Sequence, residues 1–260
     1  DVKPEYTPNW DEDVGGFERG NPYYFYLPRL CNHCTHPACL EACPRGAIYK
    51  RQEDGIVLID QERCRGYRHC IEACPYKKIY FNEVTGTSQK CIFCYPRLER
   101  GTVQAGMAQC PGRIRFVGLL DDPDSPVHKL VRVHRVALPL FPERGTHPNV
   151  FYVPPFSPPR TGRPDAGVLD DPRFPLDYLK YLFSDAVVPV LSKLHGELLK
   201  AQEGGRSELL QLLIGRTAKD RFQIVPEKVR KATPGPVSDA LPDDPAGPPL
   251  TIVSTSTKED

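Results

Sequence analysis

Ten cysteines constrain this chain more than any other feature: nine lie between Cys31 and Cys94, the tenth is Cys110, and none occurs in the last 150 residues. Disulfides staple small secreted domains along their whole length, whereas these cysteines are packed into tight C-x₂-C pairs and C-x₃-C-P runs. That spacing points to metal. The runs also repeat. Cys39-Leu40-Glu41-Ala42-Cys43-Pro44 returns 31 residues later as Cys70-Ile71-Glu72-Ala73-Cys74-Pro75. The first copy is followed by Ala47–Arg51, a turn at Asp54-Gly55 and Ile56–Ile59; the second by Ile79–Asn82, a turn around Gly86 and Ser88–Cys91. Strand-forming stretches on either side of a glycine turn predict a hairpin in each copy. A third pair, Cys110-Pro111, leads into a strand at Ile114–Val117.

A short helix followed by hairpin strands, repeated, is similar to the plan of bacterial two-cluster ferredoxins. In such runs the fourth cysteine reaches the other cluster. Crossing the fourth ligands assigns Cys31, Cys34, Cys39 and Cys74 to one cluster, and Cys43, Cys64 and Cys70 to a second. Four thiolates fit [4Fe–4S]. Three leave one corner without a ligand, which fits [3Fe–4S]. Tyr67 stands where the missing ligand belongs, and its ring is expected to fill and dry that open corner; ligation by its phenolate is the alternative. Structural zinc is the competing reading of the C-x₂-C pairs, opposed by the repeated C-x₃-C-P and by the split of seven cysteines into four and three. His33, His36 and His69 are expected to be hydrogen-bond donors near the clusters or surface residues. Arg63, Arg65, Arg68, Lys77 and Lys78 form either a solvated basic face or a set of charges that offsets the thiolates and raises the potential. Cys91, Cys94 and Cys110 are left over as partial ligand sets. Gly106 occupies the position four before Cys110, where a cysteine belongs.

These features predict an α+β chain. Residues 1–30 are an irregular partner-contacting segment ending in the aromatic run Tyr23–Tyr26, and 31–118 form a ferredoxin-like iron–sulfur domain of short helices and β-hairpins. Residues 119–165 are an extended Pro-rich segment, 166–232 a helical region interrupted at Pro189, and 233–260 a disordered tail poor in apolar residues. The 29 prolines and 20 glycines exclude a regular helical bundle. A net charge of +1 offers no general attraction for nucleic acid, and no apolar run is long enough to span a bilayer. The chain starts at Asp1 and shows no signal-peptide pattern.

The segment CNHCTHPACLEACPRGAIYK … CRGYRHCIEACPYKKIYFN … KCIFCYPRLERG … QCPGRIRFVG resembles the iron–sulfur beta subunits of the type II dimethyl-sulfoxide-reductase molybdoenzymes. That family includes respiratory nitrate reductase, nitrite oxidoreductase and the perchlorate, selenate and ethylbenzene enzymes. The resemblance is dense over residues 22–155. It implies an electron-transfer subunit, not an enzyme by itself, working between a molybdenum-cofactor catalytic alpha subunit and a haem b subunit or soluble cytochrome. It implies a [3Fe–4S] cluster at the Tyr67 position. It implies two further clusters, completed by an additional cysteine run ahead of Asp1, so that Cys91, Cys94 and Cys110 hold further [4Fe–4S] clusters only where that run is present. A periplasmic site is expected over a cytoplasmic one, with membrane association through a partner. A stand-alone polyferredoxin-like carrier and a zinc-stabilised interaction protein are the alternatives.

Overall fold

Two helix–hairpin units carry the first seven cysteines. The first runs from α1 (Ala38–Glu41) into the antiparallel strands β1 (Ile48–Lys50) and β2 (Val57–Ile59); the second from α2 (His69–Ala73) into β3 (Ile79–Asn82) and β4 (Thr87–Lys90). The computed structural model describes residues 27–110, 112, 114–156, 169 and 174–214, together with the backbone of Leu250–Thr255. The aromatic run Tyr23–Tyr26 lies outside the described residues. Each helix is about one turn long and stops near a cysteine that precedes a proline. The proline ring crowds that residue out of helical geometry, and Cys74 accordingly caps α2 with extended backbone. The hairpins turn on Gly55 and Gly86, with φ of 70° and 69°, a conformation that costs glycine little.

The first hairpin is tied to α3 (Tyr95–Glu99) by a buried ion pair. Arg51 lies 2.8 Å from Glu99 and 3.2 Å from Asp54, and its guanidinium stacks 4.9 Å from the Tyr95 ring centroid.

The third segment departs from the hairpin plan. After α4 (Ala105–Ala108), β5 (Arg115–Leu119) joins a four-stranded sheet in the order β5-β8-β7-β6, with β6 at Leu138–Pro139, β7 at Val150–Val153 and β8 at Leu250–Thr255. Strand β8 runs antiparallel to β5 and parallel to β7. The expectation of a disordered tail over 233–260 therefore fails at Leu250–Thr255. Thr251, Ile252 and Val253 form a β-branched run suited to a strand, which the polar residues around it conceal.

The Pro-rich stretch also differs from expectation. Between Leu119 and Phe156 it carries a short helix, α5 (Pro126–His128), a π-turn at Lys129–Val133 and strand β7. Val127, Leu130, Val136, Leu140 and Tyr152 are buried there. Instead of reaching outward, this part folds back on the first cysteine motif. Thr35 and His36 donate their amides to His147 and Thr146 at 2.8 and 3.1 Å, and Asn149 donates its side-chain nitrogen to the His33 carbonyl at 2.8 Å.

The C-terminal helices are α6 (Leu176–Phe183), α7 (Val187–Gln202) and α8 (Glu208–Ile214). The break falls at Ser184, with φ 62°, and not at Pro189. Pro189 is the third residue of α7, within the first turn, where a backbone N–H has no partner in the helix to lose. The apolar stripe Leu182, Phe183, Val187, Leu191 and Leu194 is buried. Each such side chain contributes about 1.5–3 kcal/mol. The stripe fastens the helices to the sheet: the Phe141 amide donates to the Leu182 carbonyl at 2.8 Å, and the Tyr152 and Phe183 rings lie 6.3 Å apart.

Candidate metal centres

The helix–hairpin units bring the seven cysteines together in two pockets, and the sorting crosses the sequence motifs. Cys31, Cys34 and Cys39 share the first pocket with Cys74, and Asn32, His33, Tyr76, Lys78 and Lys90 also wall it. Cys64 and Cys70 share the second with Cys43, bordered by Arg45, Arg65, Tyr67, Arg68, His69 and Ser88. Short helices packed side by side produce the crossing. Each places one cysteine within its turn, and the next, just before the proline, is delivered to the neighbouring pocket. Among the described residues no three Cys, His, Asp or Glu side chains converge as they would on a single metal ion.

Burial pushes the Cys34 and Cys39 thiols up to about 12. The Thr146 hydroxyl opposes this at Cys34, and the neighbouring thiols reinforce it. The Cys70 thiol is also raised by burial, while Ser88 beside it eases ionisation. Metal ligation requires thiolates, so loading these pockets releases protons. Backbone amides aim at sulfur in both motifs: Ala47 donates to Cys43 Sγ at 3.3 Å and Ser88 to Cys64 Sγ at 3.4 Å.

Unpartnered polar atoms test the fit to a sulfur-rich group. Asn32, 2% exposed, has both side-chain polar atoms buried without a partner among the described residues. His33 accepts from the Val57 amide at its Nδ1 (3.1 Å), which leaves Nε2 buried and without a partner. Burial, aided by the Lys90 charge, lowers the His33 pKa well below its ordinary value, so the ring is neutral with its proton on Nε2. Ser88 Oγ in the second pocket is likewise buried, beside the Cys70 thiol. Buried donors of this kind are costly in an empty apolar pocket and useful beside bridging sulfides. The residues present fit iron–sulfur clusters.

Tyr67 borders the second pocket, but its ring is 58% exposed and does not seal the corner within this chain. The local backbone is the reason. Gly66 and Arg68 both take positive φ, 68° and 67°, turning the ring outward beside His69. Gly66 has no room for a side chain: a Cβ there would lie 2.5 Å from the Gly86 carbonyl oxygen and 3.0 Å from the Phe81 ring. Gly66→Ala is expected to lower stability by about 1–3 kcal/mol and to loosen the second pocket against its hairpin. Thermal unfolding of the variant checks this, and an unchanged midpoint would refute it.

Other expectations divide. His36 and His69 are exposed. Of the basic residues near the second motif, Arg63 pairs with Asp60 at 3.7 Å and Arg68 with Glu83 at 3.6 Å, and Arg68 stacks 3.8 Å from the Phe81 ring centroid. Lys78 belongs to the first pocket instead. Cys91, Cys94 and Cys110 enter neither pocket; Cys91 is exposed, and its sulfur accepts from the Phe93 amide at 3.4 Å. Gly106 lies in α4 under Arg115, whose Nη1 donates to the Gly106 carbonyl at 3.4 Å and would meet a Cβ at 3.1 Å. Asn32, Ser88 and Lys90 were not singled out from the sequence. Ser88 and Lys90 are two apart on β4, so one inward face of a single strand serves both pockets, a period-two signal.

Residues 22–120 match the family model described as a 4Fe-4S dicluster domain. The chain is similar to the dimethylsulfide dehydrogenase subunit beta of Rhodovulum sulfidophilum, 59% identical over 86% of this chain and 68% of that one. It is similar to the selenate reductase subunit beta of Thauera selenatis, 55% identical over 86% and 69%. It is also similar to the respiratory nitrate reductase subunit beta of Haloferax mediterranei, 54% identical over 86% and 65%. The chain thus spans about two thirds of the length of these relatives.

Proposed function

Because the chain belongs to the family of iron–sulfur electron-transfer beta subunits of type II molybdoenzymes, we propose that it relays electrons through a [4Fe–4S] cluster on Cys31, Cys34, Cys39 and Cys74 and a [3Fe–4S] cluster on Cys43, Cys64 and Cys70. The observation that carries this reading is the sorting of these seven cysteines into pockets of four and three, across their order in the sequence. Such clusters supply one-electron redox chemistry, with potentials set by cluster type, hydrogen bonds to sulfur and exposure. The chain's own residues shape those terms. The amides of Ala47 and Ser88 hold sulfur, and Asn32, His33 and Ser88 offer buried polar groups to the pockets.

The donor or acceptor on one side is a molybdenum-bearing catalytic subunit, and on the other a haem b subunit or a soluble cytochrome. Substrate chemistry belongs to the catalytic partner, so this subunit is not an enzyme by itself. Relatives named for dimethylsulfide, selenate and nitrate chemistry stand at 59%, 55% and 54% identity, so likeness in this subunit does not track substrate. The described residues contain no helix long and apolar enough to cross a membrane, and a periplasmic position held through a partner is the reading we favour. Cys91, Cys94 and Cys110 supply part of the ligand sets of further clusters. Tagged subunit isolated from its native cell is expected to bring down a larger subunit carrying molybdenum. Isolation of the chain alone, under conditions that preserve native complexes, would contradict the relay.

A further inference from the structure

Lys90 ends β4 as a buried lysine, 6% exposed, in the wall of the first pocket. Its Nζ donates to the carbonyls of Val57 and Cys91, the latter at 3.1 Å. Among the described residues no carboxylate pairs with it. The contrast with Arg51 is direct: that buried cation has Asp54 and Glu99 beside it. An ammonium group held only by carbonyl dipoles in a buried site is costly unless an opposite charge lies close by. Thiolates on the same pocket wall provide one. Cys31, Cys34, Cys39 and Cys74 line the same pocket as Lys90, and Cys91 is its neighbour in the chain. The other groups facing this space do not replace it. His33 accepts at Nδ1 and so carries no charge, while Lys78 in the pocket wall and Lys50, which donates at 3.4 Å to the carbonyls of Cys34 and Thr35, are only partly buried and their charges are shared with solvent.

We infer that Lys90 is the built-in counter-ion of the four-thiolate site and raises the reduction potential of the cluster bound there, an inference that rests on the ligand assignment proposed above. One-electron reduction adds a negative charge without breaking a bond. The electron comes from the redox partner of the complex. A fixed positive charge in a medium of low dielectric constant favours that added charge, so the reduced form gains more from Lys90 than the oxidised form does. Removing the charge therefore lowers the potential. Lys90 acts as a positioning and tuning residue and is not itself a ligand. The second cluster is the internal control, because Lys90 does not line its pocket.

The test is a redox titration followed by electron paramagnetic resonance on the complete subunit in its complex, for Lys90→Met, Lys90→Gln and Lys90→Arg. Glutamine keeps a donor for the two carbonyls, and arginine keeps the charge. The methionine and glutamine variants are expected to shift the redox equilibrium of the four-iron cluster at least tenfold toward the oxidised form, about 59 mV for one electron. The arginine variant should stay within that range of the parent, and the three-iron cluster should not move. Loss of the four-iron cluster in the methionine and glutamine variants with retention in arginine also supports a required charge. Loss in all three, an unchanged potential in the neutral variants, or equal shifts in both clusters overturns the inference. A parent protein with no four-iron signal overturns the ligand assignment instead.

Discussion

Tyr67→Cys is expected to convert the second cluster from three-iron to four-iron. The oxidised variant should lose the paramagnetic signal of [3Fe–4S], gain a signal only on reduction, and show a lower potential at that site. The change in redox equilibrium should exceed tenfold, about 59 mV for one electron, because cluster type is a leading determinant of potential. The geometry makes this a clean exchange. Tyr67 lines the pocket of Cys43, Cys64 and Cys70, so a cysteine at this position is expected to supply the missing donor. The tyrosine ring is mostly exposed, so little buried area is lost. Gly66 and Arg68, whose positive φ values set the local turn, are untouched. A spectral change therefore reports ligation and not loss of fold. An unchanged signal in the oxidised state would show that Tyr67 does not mark the open corner.

The outward turn of that ring modifies the expectation from sequence in one respect. Tyr67 borders the second pocket, but its exposed ring does not dry that pocket from within this chain. An alternation of cysteines shows where a donor is absent; which way the substitute points depends on two positive-φ residues beside it, and Arg68 is not a residue type that announces one.

The same distinction runs through the rest of the fold. Both hairpins were legible because a glycine turn separates strand-forming residues, and the structure pairs Ile48 with Ile59 and Ile79 with Lys90 accordingly. The C-terminal helices were legible from their apolar spacing. Pro189 was misjudged because a proline in the first turn of a helix looks, in sequence, like a proline that breaks one. Strand β8 was hidden by composition. Its pairing with β5 and β7 joins segments more than a hundred residues apart, and no local pattern encodes a partner at that distance.

At the site, which cysteines share a pocket was legible from the motif spacing, and the surrounding polar groups largely were not. Asn32 and His33 sit inside the first motif, yet only their burial shows that they face the pocket. Lys90 is one of many lysines in the sequence; enclosure without a carboxylate is what distinguishes it. Thr146 and Asn149 come from a segment that its prolines marked as extended, and they anchor the loop of Cys31 to Cys39 through the contacts at His33, Thr35 and His36. Proline-rich backbone can be irregular and still be structural when its amides and carbonyls find partners in a loop that needs them.

The crossing of the fourth ligands is the claim on which the relay rests. Cys43 continues the first motif in sequence but lies with Cys64 and Cys70; Cys74 continues the second but lies with Cys31, Cys34 and Cys39. Replacing either removes one donor from the distant cluster and none from the adjacent one. Loss of a thiolate from a buried site leaves an iron without its ligand, so the affected cluster should be degraded or lost and the other retained. The decisive measurement is the paramagnetic resonance of Cys43→Ala and Cys74→Ala, each recorded oxidised and reduced. Cys43→Ala should abolish the oxidised-state [3Fe–4S] signal and keep the reduced-state signal of the cluster on Cys31, Cys34 and Cys39, while Cys74→Ala should remove that reduced-state signal and keep the oxidised-state one. The opposite pattern, with each substitution destroying the cluster of its own motif, would contradict the account.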